Sequence, residues 1–273
     1  MTMKKTNNPY IIAFDMDGTL LNSKKEITFK TRHYLRKLIK QGHHIVIASG
    51  RPPRSIERYY KQLKLDTPAI CYNGEYTFSP CDKNFKTIHY TFQKDMVLEV
   101  LNKMGANVLN VMCEGDKDIW VDKEDEYLGK FFWYEGMELH KGNLNEILDK
   151  DTCTCIIRCP KEYKDTHEID EILKKWPEIL PVFWIGSPYF ELHHKLASKG
   201  AGLEEVAKYY NIPRERIIAF GDATNDIEMF EYAKTSVMMK NAKFDISDKA
   251  TMVSLKDNDH DGIYYTLKKI LNA

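Results

Sequence analysis

Three short apolar runs set the rhythm of the first eighty residues. Tyr10-Ile-Ile-Ala-Phe14, His44-Ile-Val-Ile-Ala48 and the stretch from Pro68 to Tyr72 are continuous rather than alternating. That is the pattern of strands covered on both faces, as in a parallel sheet. Between them, Leu35, Leu38 and Ile39 share one side of a helical pattern from about Thr28 to Gln41. Thr28 is placed to cap its start, and Gly42 to stop it. A second helix is predicted from about Pro53 to Leu63. Strand alternating with helix predicts an α/β fold, a doubly wound, Rossmann-like parallel sheet with right-handed crossovers. The rhythm returns late in the chain: a helix over 199–210 closed by Asn211 and Pro213, then a buried-type strand Arg216 to Phe220. A helix from about Asp226, a strand Thr235 to Met239 and a last helix Gly262 to Leu271 complete it.

The middle of the chain breaks this rhythm. Its strands mix apolar and polar positions, as in Lys117-Asp-Ile-Trp-Val121 and Cys153-Thr-Cys-Ile-Ile-Arg158, and alternate with helical stretches near 93–104, 124–134 and 162–175. Aromatic segments such as Phe131-Phe-Trp-Tyr134 and Val182-Phe-Trp184 fall here, so Trp120, Trp133 and Trp184 are expected in a local core. The pattern predicts a second α/β domain inserted into the first. The divisions are 1–81 and 191–273 for the two halves of the core domain and 82–190 for the insert.

Composition narrows the field without deciding it. Hydrophobic residues at 43% and charged residues at 29% are ordinary for a globular chain of 273 residues. Forty basic and forty acidic side chains cancel, which argues against nucleic acid as a partner. Lys24-Lys25 and Lys268-Lys269 read as solvated surface. No apolar run reaches the ~18 residues of a membrane span. The polar start, Met1 to Pro9, lacks the middle of a signal peptide, so a cytoplasmic location is expected. The six cysteines show no spacing of a zinc site or disulfide framework, and Cys153 and Cys155 read as structural thiols on one strand face.

The chemistry sits at strand ends. Asp15-Met-Asp17-Gly-Thr-Leu20 follows the first apolar run, and ligands of open parallel sheets bind beyond the carboxyl ends of strands. Both carboxylates are expected to face one cleft, where they would need a cation or a shared proton, while Gly18 lets backbone amides approach an anion. A second acidic turn, Gly221-Asp222-Ala-Thr-Asn225-Asp226, ends another buried strand. Two such turns in one sheet point to a hard cation on oxygen ligands, Mg²⁺ rather than a soft metal. Ser49-Gly50-Arg51 adds a hydroxyl and backbone donors, Asn73-Gly74 closes the third strand at the same edge, and Lys199 brings a point charge. His43-His44 reads as structural. His193 and His194 lie at the second crossing, with at most one turned to the cleft. The Asn258-Asp-His-Asp-Gly262 loop reads as a helix entry.

These four segments, in this order, resemble the four motifs of the haloacid dehalogenase-like phosphatases: Asp15 to Leu20, Ser49-Gly-Arg, Lys199-Gly200 and Gly221 to Asp226. The likeness runs from about Ile11 to Ile270, and the insert after Asn73-Gly74 resembles the Cof-type branch with the larger α/β cap. The resemblance implies a Mg²⁺-dependent hydrolase of a small phosphorylated metabolite, a sugar phosphate or related ester. Asp15 would be the nucleophile of an aspartyl-phosphate intermediate, and Asp17 the acid and then base. Asp15, Asp17 (through its carbonyl), Asp222 and Asp226 would hold the metal. Ser49 and Lys199 would contact the phosphoryl group, with Gly18, Gly50, Arg51, Asn73, Gly74 and Asn225 in phosphate or substrate support. The alternatives are a phosphotransferase or phosphomutase using the same intermediate, and a phospho-ligand-binding protein without turnover. The chain departs from the family's usual residues at His193–Ser198, Ala223-Thr224, Met239-Lys240 and Glu75. These positions shape the rim, not the reacting groups.

Overall fold

The structure is a computed structural model describing residues 6–125, 128, 129, 134 and 136–271. The helix expected over 124–134, Trp133 and the first residues of the chain lie wholly or largely outside the described residues. The chain forms two compact units, one of the residues up to Ile88 with those from Ser198 on, the other His89–Ala197. Both crossings thus fall seven residues later than the 81/82 and 190/191 set from the sequence. Phe85 explains the first shift, because it is buried in the apolar cluster of the first unit. β11 (Tyr189–His194) explains the second, since it is an interior strand of the second unit's sheet.

The first unit carries a five-stranded parallel sheet, order β14-β13-β12-β1-β2. Its strands are β1 (Ile11–Phe14), β2 (His44–Ile47), β12 (Ile217–Gly221), β13 (Thr235–Met238) and β14 (Met252–Val253). β1 lies at the centre with every residue buried, which is why its run is unbroken by polar positions. Ile11 and Ala13 face α6 (Lys199–Tyr210) and α7 (Ile227–Tyr232) through Leu203, Val206, Met229 and Phe230. Phe14 stacks on Phe220 of β12 at 5.1 Å. α1 (Phe29–Lys40) and α8 (Gly262–Leu271) meet where Tyr34 packs edge-on against Tyr264. α2 spans Pro53–Leu63 and buries Ile56, Tyr59, Tyr60 and Leu63. Thr28 occupies the N-cap position of α1, but its hydroxyl makes no capping hydrogen bond.

The third strand departs from expectation. β3 (Ala69–Cys71) touches the parallel sheet by a single bridge, Ala48 to Ile70, then doubles back against β4 (Tyr76–Phe78). With β5 (Ile88–His89) they form a separate three-stranded sheet. A left-handed Asn73 (φ 53°) and Gly74 (φ 103°) make the reversal. A Cβ at Gly74 would lie 2.1 Å from the Ser198 carbonyl oxygen, so only glycine fits there.

The second unit is a six-stranded sheet, order β10-β11-β9-β6-β7-β8, antiparallel except where β7 and β8 run parallel. The strands are β6 (Asn110–Glu114), β7 (Asp118–Val121), β8 (Glu138–Lys141), β9 (Thr154–Arg158), β10 (Ile179–Phe183) and β11. Cys113, Trp120, Cys155, Ile157 and Phe190 bury one face against α3 (Lys94–Met104) and α5 (Glu168–Leu173), while the short α4 (Leu144–Ile147) adds Leu144. Met112, Ile119, Val121 and Ile156 line the other face. Glu114, Thr154 and Glu191 share that second face by register, and the Thr154 hydroxyl donates to Glu191 Oε1 at 2.8 Å. The six cysteines are free thiols.

Candidate active site

The carboxyl end of β1 runs straight into the chemistry. The Asp15 amide still donates to the Phe220 carbonyl (2.9 Å), and then the chain curls as the Leu20 amide returns to the Asp15 carbonyl (3.1 Å). Gly18 takes φ 84° in this curl, and a Cβ there would lie 2.3 Å from Asp222 Oδ2. The two acidic turns therefore touch, and the bare backbone of Gly18 is what admits the contact. Thr19 reinforces it by donating to Asp222 Oδ1 at 2.9 Å.

Lys199, the first residue of α6, is 1% exposed and bridges two carboxylates: Nζ is 2.6 Å from Asp15 Oδ1 and 2.7 Å from Asp226 Oδ1. Burial alone would drive its proton off, but Asp15 and Asp226 outweigh burial and hold it firmly ammonium. Asp226 folds back over its own turn, its Oδ2 accepting from the amides of Asp222 (2.9 Å) and Ala223 (3.1 Å). A Cβ on Gly221 would overlap that carboxyl. Burial raises the Asp15 carboxyl well above its ordinary range, and Asp226 and Asp222 push the same way against Lys199. Burial, then Asp226, also raises Asp222, to about 6.

Oxygens of Asp15, Asp222 and Asp226 lie within 4.8 Å of one another. Three acids with one lysine leave an excess of buried negative charge, and an all-oxygen donor set of that size fits a hard divalent cation. The cation would supply the missing positive charge and hold Asp15 ionised.

Asp17 does not share this cluster, against the expectation that the two aspartates answer each other in one cleft. Its carboxylate turns to Arg51, with Nε to Oδ2 at 2.6 Å and Nη2 to Oδ1 at 2.7 Å, and to Lys25 Nζ at 2.6 Å. Burial would raise its pKa, but Arg51 and then Lys25 overcome this and hold it below the ordinary value. The strand itself ends at Phe14, so Asp15 to Asp17 lie in the turn beyond it, where a two-residue period no longer aligns the side chains.

Ser49 is buried and accepts from the Arg51 amide at 3.1 Å, leaving its own hydroxyl proton to donate. Asn73 stands beside it, its amide bonded to the Ser49 carbonyl, and its Oδ1 accepts from Asn225 Nδ2 at 2.9 Å. A Cβ on Gly50 would press on Asn73 Oδ1 at 3.1 Å. Every residue singled out in the sequence for this site thus lies in the first unit. His193 and His194 do not: His193 Nε2 pairs with the Ala197 carbonyl, and His194 stacks on Tyr90.

Sequence reasoning missed four supports. Lys25, read as surface, adopts φ 58°, and its carbonyl accepts from Tyr59 Oη (2.8 Å) and Arg58 Nη2 (3.3 Å), which aims its ammonium at Asp17. Thr19 is the second. Asn241 donates to the Gly18 carbonyl at 2.7 Å, and Asn258 binds both Asn241 and the Leu21 carbonyl. The loop read as a helix entry also buttresses the first acidic turn. The Asn241-Ala242 pair was a visible signal for this; Lys25 had none.

With this geometry in place, the wider likeness is informative. Residues 12–267 match the family of haloacid dehalogenase-like hydrolases, and the chain belongs to it. Within that family it is a phosphatase with the Cof-type pattern. It is similar, at 34% identity over 96% of this chain and 97% of the other, to the 5-amino-6-(5-phospho-D-ribitylamino)uracil phosphatase YitU of Bacillus subtilis. The phosphatase YwpJ of the same organism is 27% identical, with 96% and 99% covered. In fold it resembles a haloacid dehalogenase-like hydrolase from Bacteroides thetaiotaomicron (24% identity, TM-score 0.80, 96% and 100% covered). It also resembles the subclass IIB sugar phosphatase BT4131 (23%, TM-score 0.78, 97% and 100% covered). Phosphatases of this family generally use a divalent metal. Among the described residues no helix is long and apolar enough to cross a membrane.

Proposed function

We propose that the chain is a Mg²⁺-dependent phosphatase that hydrolyses a primary phosphate ester on a small polyhydroxylated metabolite through an aspartyl-phosphate on Asp15. The observation that carries this is the Asp15–Lys199–Asp226 bridge beside Asp222. It is a buried carboxylate already oriented by a lysine, in a pocket with charge to spare for a cation. A phosphate dianion repels a carboxylate, so both positive charges are needed before the two can meet. Asp15 and Asp222 would supply the direct carboxylate ligands, with the Asp17 carbonyl in the role the sequence resemblance implies. Asp226, both of whose oxygens are engaged, holds Lys199 and the second turn in register.

Asp15 attacks phosphorus, the ester oxygen leaves with a proton from Asp17, and Asp17 then takes a proton from the water that cleaves the acyl phosphate. Ser49 donates its free hydroxyl proton to a phosphoryl oxygen, and Asn73 and Asn225 line the same side. Arg51 and Lys25 hold Asp17 as an anion at rest. An incoming dianion competes for those two cations, which loosens Asp17 as the substrate binds, so that it takes up a proton from solvent before it acts as the acid. The substrate class draws on the ribityl phosphate named for the B. subtilis relative and on the sugar-phosphate class that the sequence resemblance implies. The 89–197 unit is the proposed source of selectivity.

The test is phosphate release from a panel of pentose, hexose and polyol phosphates, including the ribitylaminouracil phosphate. Hydrolysis is expected with Mg²⁺, abolished by a chelator and restored by adding the metal back. Asp15→Asn should cost at least about 10⁴-fold in kcat, the order expected for loss of a nucleophile. Mutant activity near the native value would sink the mechanism, and a uniform failure across the panel would sink the substrate class.

A further inference from the structure

The second unit holds a cluster of a different chemical kind. His89 on β5, Asp116 in the turn between β6 and β7, and Cys153 just before β9 come from three distant points of the chain, yet their donor atoms lie within 4.8 Å of one another. The reading of Cys153 as a purely structural thiol overlooked this, because spacing along the sequence says nothing of ligands gathered by a sheet. Cys153 Sγ is 3.9 Å from Asp116 Oδ1. In a tetrahedral zinc site, metal–ligand lengths of about 2.0–2.3 Å put neighbouring donors roughly 3.5 Å apart. The Cys153–Asp116 pair therefore needs to close by about 0.4 Å, and the pairs that involve His89 by no more than about 1.3 Å.

We infer that His89, Asp116 and Cys153 form a binding site for a borderline divalent cation, zinc by its chemistry, separate from the magnesium site.

The donor set decides the metal. Imidazole nitrogen, thiolate sulfur and one carboxylate suit zinc, whereas magnesium takes oxygen. Ionised thiol and carboxylate together balance a divalent charge, and binding releases the thiol proton. A second group nearby, Asp118, Glu138 and His140, is also compact but lacks a thiol, and there Asp118 Oδ1 pairs with His140 at 2.8 Å and Oδ2 with Lys150 at 2.9 Å. That pairing also neutralises Lys150, which would otherwise repel a cation.

The surroundings give an independent reason to expect a ligand. His89, Asp116 and Cys153 line one cavity of about 570 Å³, and Trp120 lines it too. The Trp120 side chain is fully buried, and its Nε1–H has no hydrogen-bond partner among the described residues. An unanswered buried donor is destabilising, and this one belongs to a residue of the cavity wall. Three protein ligands leave zinc one open position for a water or anion in this cavity. Gly115 is what lets the indole lie there, since a Cβ on it would meet the ring at 3.1 Å.

The test is titration of the full, chelator-stripped chain with Co²⁺ alone, followed by displacement with Zn²⁺ alone. One equivalent of cobalt should bind with a thiolate-to-cobalt charge-transfer band, and one equivalent of zinc should abolish that band. Cys153→Ser should lose the band while keeping the native circular dichroism and the Mg²⁺-dependent phosphatase rate. His89→Ala and Asp116→Asn, both at exposed positions, should weaken binding at least about 10-fold, and they carry the test if Cys153→Ser does not fold. Asp222→Asn and Cys81→Ser should leave the titration unchanged. Absence of the band in the native chain overturns the inference. So does a band that survives Cys153→Ser, disappears in Cys81→Ser, or keeps native affinity in both the His89 and Asp116 variants.

Discussion

At the scale of single residues, the site is governed by which cation holds which carboxylate. Lys199 is committed to Asp15 and Asp226 at full burial, whereas Lys25 is half in solvent, with its side chain 55% exposed. Removing Lys25 should therefore be mild. Lys25→Ala is expected to lower kcat/KM about 3- to 10-fold, mostly through KM, which steady-state kinetics on the best ester of the panel would read. Gly18→Ala should be far harsher, because its new methyl would meet Asp222 Oδ2 in a backbone conformation that also disfavours a side chain. Loss of activity with a weakened Mg²⁺ requirement curve is the expected result. Asp15, Asp17, Ser49, Lys199 and Asp222 were visible in the sequence because each ends an apolar run or opens a helix. Lys25 was not, since its direction depends on a left-handed backbone and on Tyr59, a residue of another element.

At the scale of elements, burial decided what could be read. β1, β2 and β12 are buried on both faces, so each appears as an unbroken apolar run with a sharp polar end. β8 is Glu-Leu-His-Lys and mostly exposed, and β10 is an edge strand carrying Pro181. Neither shows a period of two, and neither was foreseen. β11 hides a buried Glu191 amid its apolar positions, which disguises an interior strand as polar. β14, two residues long, carries no pattern at all. Helix starts fared unevenly. Thr28 stands at an N-cap position without using its hydroxyl, whereas Ser198 caps α6 by accepting from the Ala201 amide at 3.0 Å. Because α6 presents Lys199, Ser198→Ala is expected to cost about 1 kcal/mol in chemical denaturation. It should also lower kcat, which a cap remote from the site would not do.

At the scale of the whole molecule, stability should carry a pH signature from Glu191. Burial lifts its carboxyl from an ordinary 4.5 to about 7, with nearby Glu114 adding to the shift and the Thr154 hydroxyl opposing it. The folded chain thus holds a proton that the unfolded chain has lost between those two values. Stability contributed by the neutral form is complete below about 4.5 and is lost as pH rises through 7, by roughly 3 kcal/mol if the shift is fully expressed. Denaturation midpoints measured from pH 5 to 8 should fall with rising pH, and Glu191→Gln should flatten that slope. A slope unchanged by the substitution would locate the effect elsewhere.

The contact between Thr19 and Asp222 spans 203 residues of chain, and it bears on how the enzyme is made. At a synthesis rate of ~5–20 residues per second, β1 waits on the order of 10–40 s for β12 to leave the ribosome. During that interval one edge of the central strand has no neighbour, and two of the three carboxylates that would gather a cation do not yet exist. The 89–197 unit, contiguous in the chain, is free to fold meanwhile. A ribosome-stalled chain ending before Phe220 should therefore hydrolyse nothing, however complete its middle, and the nascent enzyme gains its activity only once β12 and the acidic turn after it have emerged.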